Sequence, residues 1–198
     1  MVSRIINMVK TVEETIRAAD RCSGVARSLI LVAWRPPAAD TLKLNTDASL
    51  EGGSGRAFGG GLFRDATGTW RYGFVVNIGL CSILSAELWC LLHGLRLAKA
   101  LGFRKLEVES DSFIGISMIK GNFEVSINCR AIVQCVHNLA QDFDSVVVNH
   151  LHREGNFAAD FLSHYAYSFS RGVHTLETPP IGLSIWLLHD RLRISYVR

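Results

Sequence analysis

Apolar and polar residues alternate along the stretch that follows residue 40. Leu42 and Leu44 fall on one face, and Lys43 and Asn45 fall on the other. A period of two is the pattern of a β-strand, which we place at residues 41–49. Two further apolar stretches, each bounded by turn-forming residues, indicate strands at residues 57–64 and 70–78, after turns at 52–55 and 65–69. Three consecutive strands joined by short turns predict an antiparallel meander.

Helical spacing begins after the meander. The clearest helix is predicted at residues 82–101, where leucines recur every three or four positions, and Gly102 supplies a C-terminal stop. The remaining elements are strands at 105–110 and 145–150 and helices at 112–120, 129–142 and 156–168. The order βββ-α-β-α-α-β-α predicts an α/β fold, in which a five-stranded mixed sheet, an antiparallel meander plus parallel strands, is flanked by helices.

The two ends of the chain differ from this middle part. Residues 2–31 show helical periodicity, and Pro36 and Pro37 then exclude a helix because proline cannot continue one. We therefore predict an N-terminal helical extension and linker at residues 1–40, the α/β domain at 41–170 and a C-terminal tail at 171–198. The apolar stretch at 181–188 indicates that the tail packs on the domain or forms a short extra helix. The pattern assigns no chemistry to it.

Length, composition and charge predict a soluble globular protein. The chain has 198 residues, of which 48% are hydrophobic and 20% charged, enough for one domain with a sizeable core. Its formal net charge of +3 permits nucleic-acid binding without arguing for it. The longest apolar stretches are too short or too interrupted to cross a bilayer, so we expect no membrane association.

The cysteines indicate a reducing compartment. They are Cys22, Cys81, Cys90, Cys129 and Cys135. Their number is odd and no two of them form a C-x₂-C pair, which argues against a zinc site and against a disulfide framework. We expect reduced thiols and an intracellular location, in the nucleus or cytoplasm rather than in an organelle.

Four carboxylates on successive predicted elements form the candidate site. They are Asp47 on the first strand, Glu87 beside the apolar stripe of the long helix, Asp111 after the next strand, and Asp160 in the first turn of the last helix. Each alone has an ordinary alternative: a turn residue, a glutamate that reaches solvent, a helix N-cap, and a partner of the helix dipole. As an ordered set they suit Mg²⁺, which prefers oxygen ligands.

Four sequence blocks resemble the ribonuclease H type 1 family, in particular plant reverse-transcriptase-like ribonuclease H domain proteins of retroelement origin. The blocks are residues 43–49, residues 84–89 with 94–98 and 101–102, residues 108–112, and residues 150–160. Together they cover about residues 42–166, and they are specific as a set although no single block is. Ala48 departs from the glycine that often follows the first aspartate, but its side chain is also small.

The resemblance implies a ribonuclease H-like fold and an endonuclease that hydrolyses the RNA strand of RNA–DNA hybrids. By it, Asp47, Glu87, Asp111 and Asp160 would hold two Mg²⁺ ions, with Mn²⁺ as an alternative, and His150 would help proton transfer or product release. The implied substrate contacts are Asn45, Ala48, Gly53 and Asn156. The implied partner is nucleic acid, an RNA–DNA hybrid or double-stranded RNA, and we expect a monomer.

Two other functions remain open from the residues alone. The first is a weak or inactive nucleic-acid-binding module domesticated from a retroelement, with intact ligands but a decayed substrate channel. The second is a protein-interaction scaffold that docks through the apolar stretch at 181–188. A related 3′–5′ exonuclease is less favoured, because such enzymes usually pair two acids on the first strand and here the strand carries only Asp47.

Overall fold

The computed structural model describes residues 30–198. Val32–Tyr196 form one compact unit. This unit contains the main sheet and every candidate site residue. The helix predicted at residues 2–31 lies outside the described residues except for its last two, and Leu31 belongs to a short strand, β1 (Leu31–Val32).

Within the described residues, the main sheet has six strands. They are β2 (Leu42–Leu50), β3 (Arg56–Arg64), β4 (Trp70–Leu80), β5 (Lys105–Ser110), β6 (Ser145–His150) and β7 (Gly172–Leu176). Their order across the sheet is β6-β5-β2-β3-β4-β7. β2, β3, β4 and β7 are antiparallel neighbours, whereas β5 and β6 run parallel to β2. A separate two-stranded sheet joins β1 to β8 (Tyr196–Val197).

The sixth strand corrects the prediction of five. β7 comes from the segment predicted as a tail, and it pairs antiparallel with β4, from Gly73 opposite Leu176 to Asn77 opposite Gly172. Val173 in this strand is 42% exposed. An edge strand without a clean apolar face gives a weak alternation signal, so its sequence did not identify it.

In the described part of the chain, five α-helices flank the sheet. They are α1 (Ile83–Ala100), α2 (Phe113–Ile119), α3 (Arg130–Ala140), α4 (Phe157–Tyr165) and α5 (Ser184–Arg191). α1 begins where the Ser82 hydroxyl accepts a hydrogen bond from the Ser85 N–H at 3.2 Å, and it is followed by Gly102 at a φ of 74°. Within residues 30–198 no helix is both long and apolar enough to cross a membrane.

The glycine run in β3 lets helices approach the sheet from both sides. A Cβ at Gly59 would lie 1.9 Å from the Cys90 sulfur on α1, and a Cβ at Gly60 would lie 2.6 Å from Cβ of Leu162 on α4. Only glycine allows such contact. Because α1 carries Glu87 and α4 carries the last predicted carboxylate, these two glycines set how deeply both helices sit against the strands.

The sheet has an apolar core on each face. The α1 side buries residues such as Leu44, Leu88 and Leu95. The α4 side buries Phe58 and Leu162, together with other apolar residues of β3, β4 and α4. Burying large aliphatic and aromatic side chains on both faces fixes the strands that carry the candidate site.

A network of buried charged and polar side chains lies on the α4 side of β2. Lys43 is 1% exposed, and its ammonium contacts Glu109 at 2.6 Å and Glu107 at 3.1 Å. Asn45 donates a hydrogen bond to Glu109 at 3.0 Å and accepts one from the Trp34 indole at 3.0 Å. Every charge in this part of the network therefore faces an opposite charge or a hydrogen-bond partner.

Arg64 joins the C-terminal helix to this network. Its guanidinium is buried, forms an ion pair with Asp190 of α5 and donates a hydrogen bond to the side-chain Oδ1 of Asn45 at 2.7 Å. It also stacks over the ring of Trp34, 3.8 Å from the centroid. Burial raises the pKa of Asp190, and the charge of Arg64 opposes that rise. The segment to which we assigned no chemistry thus supplies a buried counter-charge.

Candidate active site

The four predicted carboxylates lie on or directly after four different elements. Asp47 is in β2, Glu87 in the first half of α1, Asp111 just after β5, and Asp160 in the first turn of α4. β2 and β5 are parallel neighbours in the sheet. Parallel strands end at the same edge, so Asp47 and Asp111 come to one place, which is where α/β sheets carry their chemistry.

Asp47, Glu87 and Asp111 form a compact carboxylate cluster. One carboxylate oxygen of each residue lies within 4.8 Å of those of the other two. Asp47 is buried, and the other two side chains are half-buried. The geometry therefore concentrates negative charge at a point with limited access to water.

The pKa of each member of the carboxylate cluster is raised above its ordinary value. For Asp47 and Glu87 burial is the largest cause, and the negative charge of the neighbouring carboxylates adds to it. Burial also raises the pKa of Asp111. Holding all three groups ionised is unfavourable without an added positive charge.

Neutral donors orient the carboxylate cluster. Glu87 accepts hydrogen bonds from the Ala48 N–H and from the Ser110 hydroxyl, the latter at 3.5 Å. A hydrogen bond from the Ser163 side chain lowers the pKa of Asp47 and so opposes part of the effect of burial. These contacts come from β2, β5 and α4, and they hold the carboxylates facing one another.

The side chain of Asp111 does not cap α2. Ser112 is the N-cap, and its hydroxyl accepts a hydrogen bond from the Gly115 N–H at 3.3 Å. The Ser110 hydroxyl accepts from the Ser112 N–H at 3.2 Å. Because serine hydroxyls accept the hydrogen bonds from the N–H groups at the start of α2, the Asp111 carboxylate is not needed there and faces the cleft.

Asp160 lies in the same cleft but has two basic neighbours. Its Oδ1 accepts a hydrogen bond from Arg153 Nη2 at 3.0 Å, and its Oδ2 lies 3.7 Å from His164 Nδ1. Its side chain is 27% exposed. Asp160 therefore stands at the more solvent-accessible side of the site, where its charge is balanced by the protein itself.

The carboxylates line an open cleft of about 410 Å³. Its lining residues are Asp47, Ala48, Ser49, Leu50, Ile83, Glu87, Asp111, Arg153, Asp160 and His164. The carboxylate cluster at its base offers oxygen ligands alone, which suits the hard cations Mg²⁺ and Mn²⁺. The residues present fit such a cation, because its charge would remove the penalty of ionising three adjacent carboxylates.

Two of the predicted substrate contacts are buried. Asn45 is 0% exposed, and its side chain is bonded to Trp34, Arg64 and Glu109. Asn156 is 1% exposed and donates to the Thr46 carbonyl at 3.0 Å. Side chains so enclosed cannot contact a substrate, and we correct both assignments: Asn45 belongs to the buried network and Asn156 fastens the loop before α4 to β2.

The other predicted residues have different positions. Ala48 lines the cleft beside the carboxylates. Gly53 lies in the exposed β2–β3 turn at a φ of 79°. His150 ends β6, where its ring stacks edge-on against Phe113 at 5.5 Å between centroids, and it is not among the residues that line the cleft. A role for Gly53 or His150 stays a prediction.

Sequence reasoning missed three polar neighbours of the carboxylates: Arg153, Ser163 and His164. Arg153 is within the block of residues 150–160, but the sequence does not show that its side chain points towards Asp160. Ser163 and His164 follow Asp160 in α4 by three and four residues. This spacing places side chains on the same side of a helix. That spacing is the signal that could have identified them.

Comparison with known proteins identifies the family and the fold. A family model described as reverse transcriptase-like matches residues 45–166. The chain is 36% identical over 162 residues, or 82% of its length, to an Arabidopsis thaliana protein named "Putative ribonuclease H protein". The match spans only 26% of that relative, about a quarter of its length.

Solved structures share the fold. Ribonuclease H1 of the archaeon Halobacterium salinarum superimposes with a TM-score of 0.61 at 23% identity, covering 64% of this chain and 97% of that one. LC11-RNase H1, solved in complex with an RNA/DNA hybrid, gives 0.59 at 22% identity, covering 63% and 95%. The predicted ribonuclease H-like α/β fold is confirmed, and the chain belongs to the reverse transcriptase-like family.

Proposed function

We propose that this domain is an endonuclease that hydrolyses the RNA strand of RNA–DNA hybrids with the help of two divalent cations, Mg²⁺ or Mn²⁺. The observation that carries the proposal is the carboxylate cluster: three oxygens from Asp47, Glu87 and Asp111 within 4.8 Å of one another. Burial raises the pKa of each of the three, so a cation bound among them would favour their ionised forms. The name of the Arabidopsis relative and the hybrid bound to LC11-RNase H1 support the choice of substrate.

The carboxylates divide between two cation positions. Asp47, Glu87 and Asp111 would hold one cation, and Asp47 with Asp160 would hold the other, so Asp47 belongs to both. When bound, the cations supply a water of lowered pKa for attack on the phosphodiester and stabilise the leaving 3′ oxygen. The protein holds the ligands in place through the hydrogen bonds from Ala48, Ser110 and Ser163.

The remaining contacts would recognise the backbone of the RNA strand. A domain that reads 2′-hydroxyls and phosphates has little sequence preference. The main chain of the exposed turn at Gly53 is the candidate for the 2′-hydroxyls, and His150 is the candidate for proton transfer, since an imidazole titrates near neutral pH. The net charge of +3 predicts modest affinity.

The test is cleavage of a hybrid whose RNA strand carries a label, in Mg²⁺ and in a chelator. We expect Mg²⁺-dependent cuts within the RNA strand and an intact DNA strand. Asp47→Asn should lower the rate by at least about 10³-fold, equivalent to about 4 kcal/mol, whereas Asp144→Asn, at an exposed aspartate, should not change it. Absence of cleavage by the folded protein would contradict the proposal, and binding without cleavage would favour the inactive binding module.

The cysteines support a proposal about the compartment. Cys81, Cys90, Cys129 and Cys135 are free thiols in the described residues. We propose an intracellular, reducing location in which these thiols stay reduced. Localisation of the tagged full chain in cells would test it, and a secreted protein with oxidised thiols would contradict it.

A further inference from the structure

Arg153 is a cation placed among the proposed metal ligands. It begins a 3-10 turn (Arg153–Gly155) between β6 and α4, and its guanidinium reaches Asp160 at 3.0 Å. It lines the cleft together with Asp47 and Asp111. Of the residues that line the cleft, only Arg153 and His164 are basic. Because an arginine stays charged at any ordinary pH, Arg153 is the permanent positive charge of the cleft.

The fold does not depend on this side chain. The side chain of Arg153 is 68% exposed, and exposed ion pairs contribute little to stability. The loop is held by other contacts: Gly155 N–H to the His152 carbonyl at 2.8 Å, and the Asn156 side chain to the Thr46 carbonyl at 3.0 Å. Arg153 is therefore free to change partner without disturbing α4.

Arg153 and a divalent cation would compete for the same carboxylate. A cation held by Asp160 repels the guanidinium and withdraws the charge that attracts it. The guanidinium would then lie at the mouth of the cleft, with its planar set of N–H donors unengaged. The ligand that such a fork fits best is an oxyanion, and the oxyanions that a hybrid brings to this cleft are its backbone phosphates.

We propose that Arg153 alternates between two partners: Asp160 in the metal-free protein, and a phosphate of the RNA strand beside the scissile one when divalent cations hold the carboxylates. The proposal rests on the proposed function, since it takes the RNA strand as the ligand. It makes Arg153 a phosphate-binding residue that also keeps Asp160 neutralised until the cations bind. Cation binding and substrate binding are thereby linked through one side chain.

The experiment measures both partners on the full chain with Arg153→Ala. Mg²⁺ affinity, measured by calorimetry without nucleic acid, should rise about two- to fivefold, because a competing ion pair is removed. Affinity for a labelled hybrid in Mg²⁺, measured by anisotropy in a Glu87→Gln background that prevents cleavage, should fall about tenfold. The slope of log affinity against log salt should fall in magnitude by about one.

Two further variants make the outcome specific. Arg104→Ala removes another exposed ion pair, Arg104 to Asp144 at 2.6 Å, and should change neither affinity, because Arg104 precedes β5 whereas Asp111 follows its other end. Arg153→Lys keeps the charge without the planar fork, so Mg²⁺ affinity should stay near that of the parent while hybrid affinity falls in part.

Other results would overturn the inference or the proposed function, and they can be told apart. Unchanged Mg²⁺ affinity in Arg153→Ala would show that Arg153 does not compete for Asp160. A loss of both affinities with a lowered melting temperature would show a merely structural role. If the unmodified chain cleaves the hybrid and Arg153→Ala leaves hybrid affinity unchanged, the inference fails while the proposed function stands. If the unmodified chain neither binds nor cleaves the hybrid, the proposed function has failed, and the Mg²⁺ measurement still decides the competition.

Discussion

Two clusters of charged side chains occupy the same pair of strands, and they are built in opposite ways. In the interior, Lys43 of β2 lies beside Glu107 of β5 in the parallel register, and Asn45 lies beside Glu109. Two residues further along the chain from Asn45 and Glu109 come Asp47, still in β2, and Asp111, just after β5. The first cluster is balanced by cations of the chain, whereas the second brings carboxylates together with nothing but neutral donors at its base.

The difference shows what separates a structural charge cluster from a reactive one. The buried network contains Lys43 and Arg64, each paired with a carboxylate. The carboxylate cluster opens to a cleft, and its charge can be balanced only from outside or by the exposed Arg153. A protein that leaves like charges uncompensated at one point gives up stability there, and the gain is affinity for a cation.

The largest effect on stability should come from breaking the buried network. Arg64→Met leaves the buried Asp190 without its counter-charge, and we expect the free energy of unfolding to fall by about 3–5 kcal/mol. Urea denaturation measures it. Arg104→Ala, which removes an exposed pair, should cost less than about 1 kcal/mol.

Replacing both partners sharpens this result. The double variant Arg64→Met with Asp190→Leu removes the charges together and should recover much of the loss, because no unpaired charge remains buried. Two results would contradict the distinction between the two clusters. One is an equal loss of unfolding free energy on breaking the exposed pair and the buried pair. The other is a loss in the double variant that exceeds the sum of the losses in the single variants.

The second effect tests how the sheet sets the position of the fourth carboxylate. Gly60→Ala would place a Cβ 2.6 Å from Cβ of Leu162, so α4 must move outward and carry Asp160 with it. We expect a loss of about 1–3 kcal/mol in unfolding free energy and a fall in hybrid cleavage.

Gly52→Ala is the matched control for this prediction. A Cβ at Gly52 meets nothing within 4 Å, so stability and cleavage should stay close to those of the unmodified chain. Equal effects at Gly52 and Gly60 would mean that the helix contact does not matter.

A smaller effect of the opposite sign is expected inside the carboxylate cluster. The folded-state pKa of Asp47 is raised, mainly by burial, so the folded chain binds this proton more tightly than the unfolded chain does. Stability from this group is present at low pH and is lost as pH rises through the raised pKa. At neutral pH and without divalent ions, Asp47→Asn should therefore raise the melting temperature.

Adding Mg²⁺ should reverse the order of the melting temperatures of the unmodified chain and Asp47→Asn. It should raise the melting temperature of the unmodified chain and have less effect on Asp47→Asn, because ligand binding to the folded state stabilises it. Asp144→Asn serves as the control. A lower melting temperature for Asp47→Asn in the absence of Mg²⁺ would contradict the assignment of an uncompensated cluster.

The smallest effect concerns His93, which is outside both clusters. Burial, with a contribution from Arg96, lowers its pKa from 6.5 to about 4. The unfolded chain therefore binds a proton between these values that the folded chain does not, and stability should fall as pH drops from 6.5 towards 4.

His93→Gln removes this titration. The difference in unfolding free energy between the two proteins should change with pH by on the order of 1 kcal/mol across that window, since solvent screening weakens the effect at a half-buried site. The difference isolates His93 from the carboxylates, whose raised pKa values act in the opposite direction. A constant difference from pH 4 to 7 would show that the ring titrates normally.

The sequence predicted the elements whose hydrophobic pattern is clear within a short stretch of the chain. The central strands, the long helix and the order of the four carboxylates follow from alternation, helical spacing and the family blocks, and the structure places all four in one cleft. These features depend on residues close together in the chain.

What could not be predicted depends on partners far apart in the chain. Asn45 shares the polar face of β2 with Asp47, and alternation alone cannot tell which of the two lines the cleft. Asn45 is enclosed because Arg64 and Trp34 reach it. The ion pair of Asp160 with Arg153 depends equally on how a loop folds back on a helix.

The ion pair between Arg64 and Asp190 also determines how much of the chain must be kept when the domain is produced on its own. The family match ends at residue 166, yet a guanidinium in the middle of the sheet is neutralised from α5. A fragment that ends at residue 166 would retain all four carboxylates. It would lack β7, which covers the edge of β4, and Asp190, which neutralises Arg64. Anyone who transplants this domain into a fusion, or compares it with shorter relatives, should treat Asp190 as part of the transferable piece.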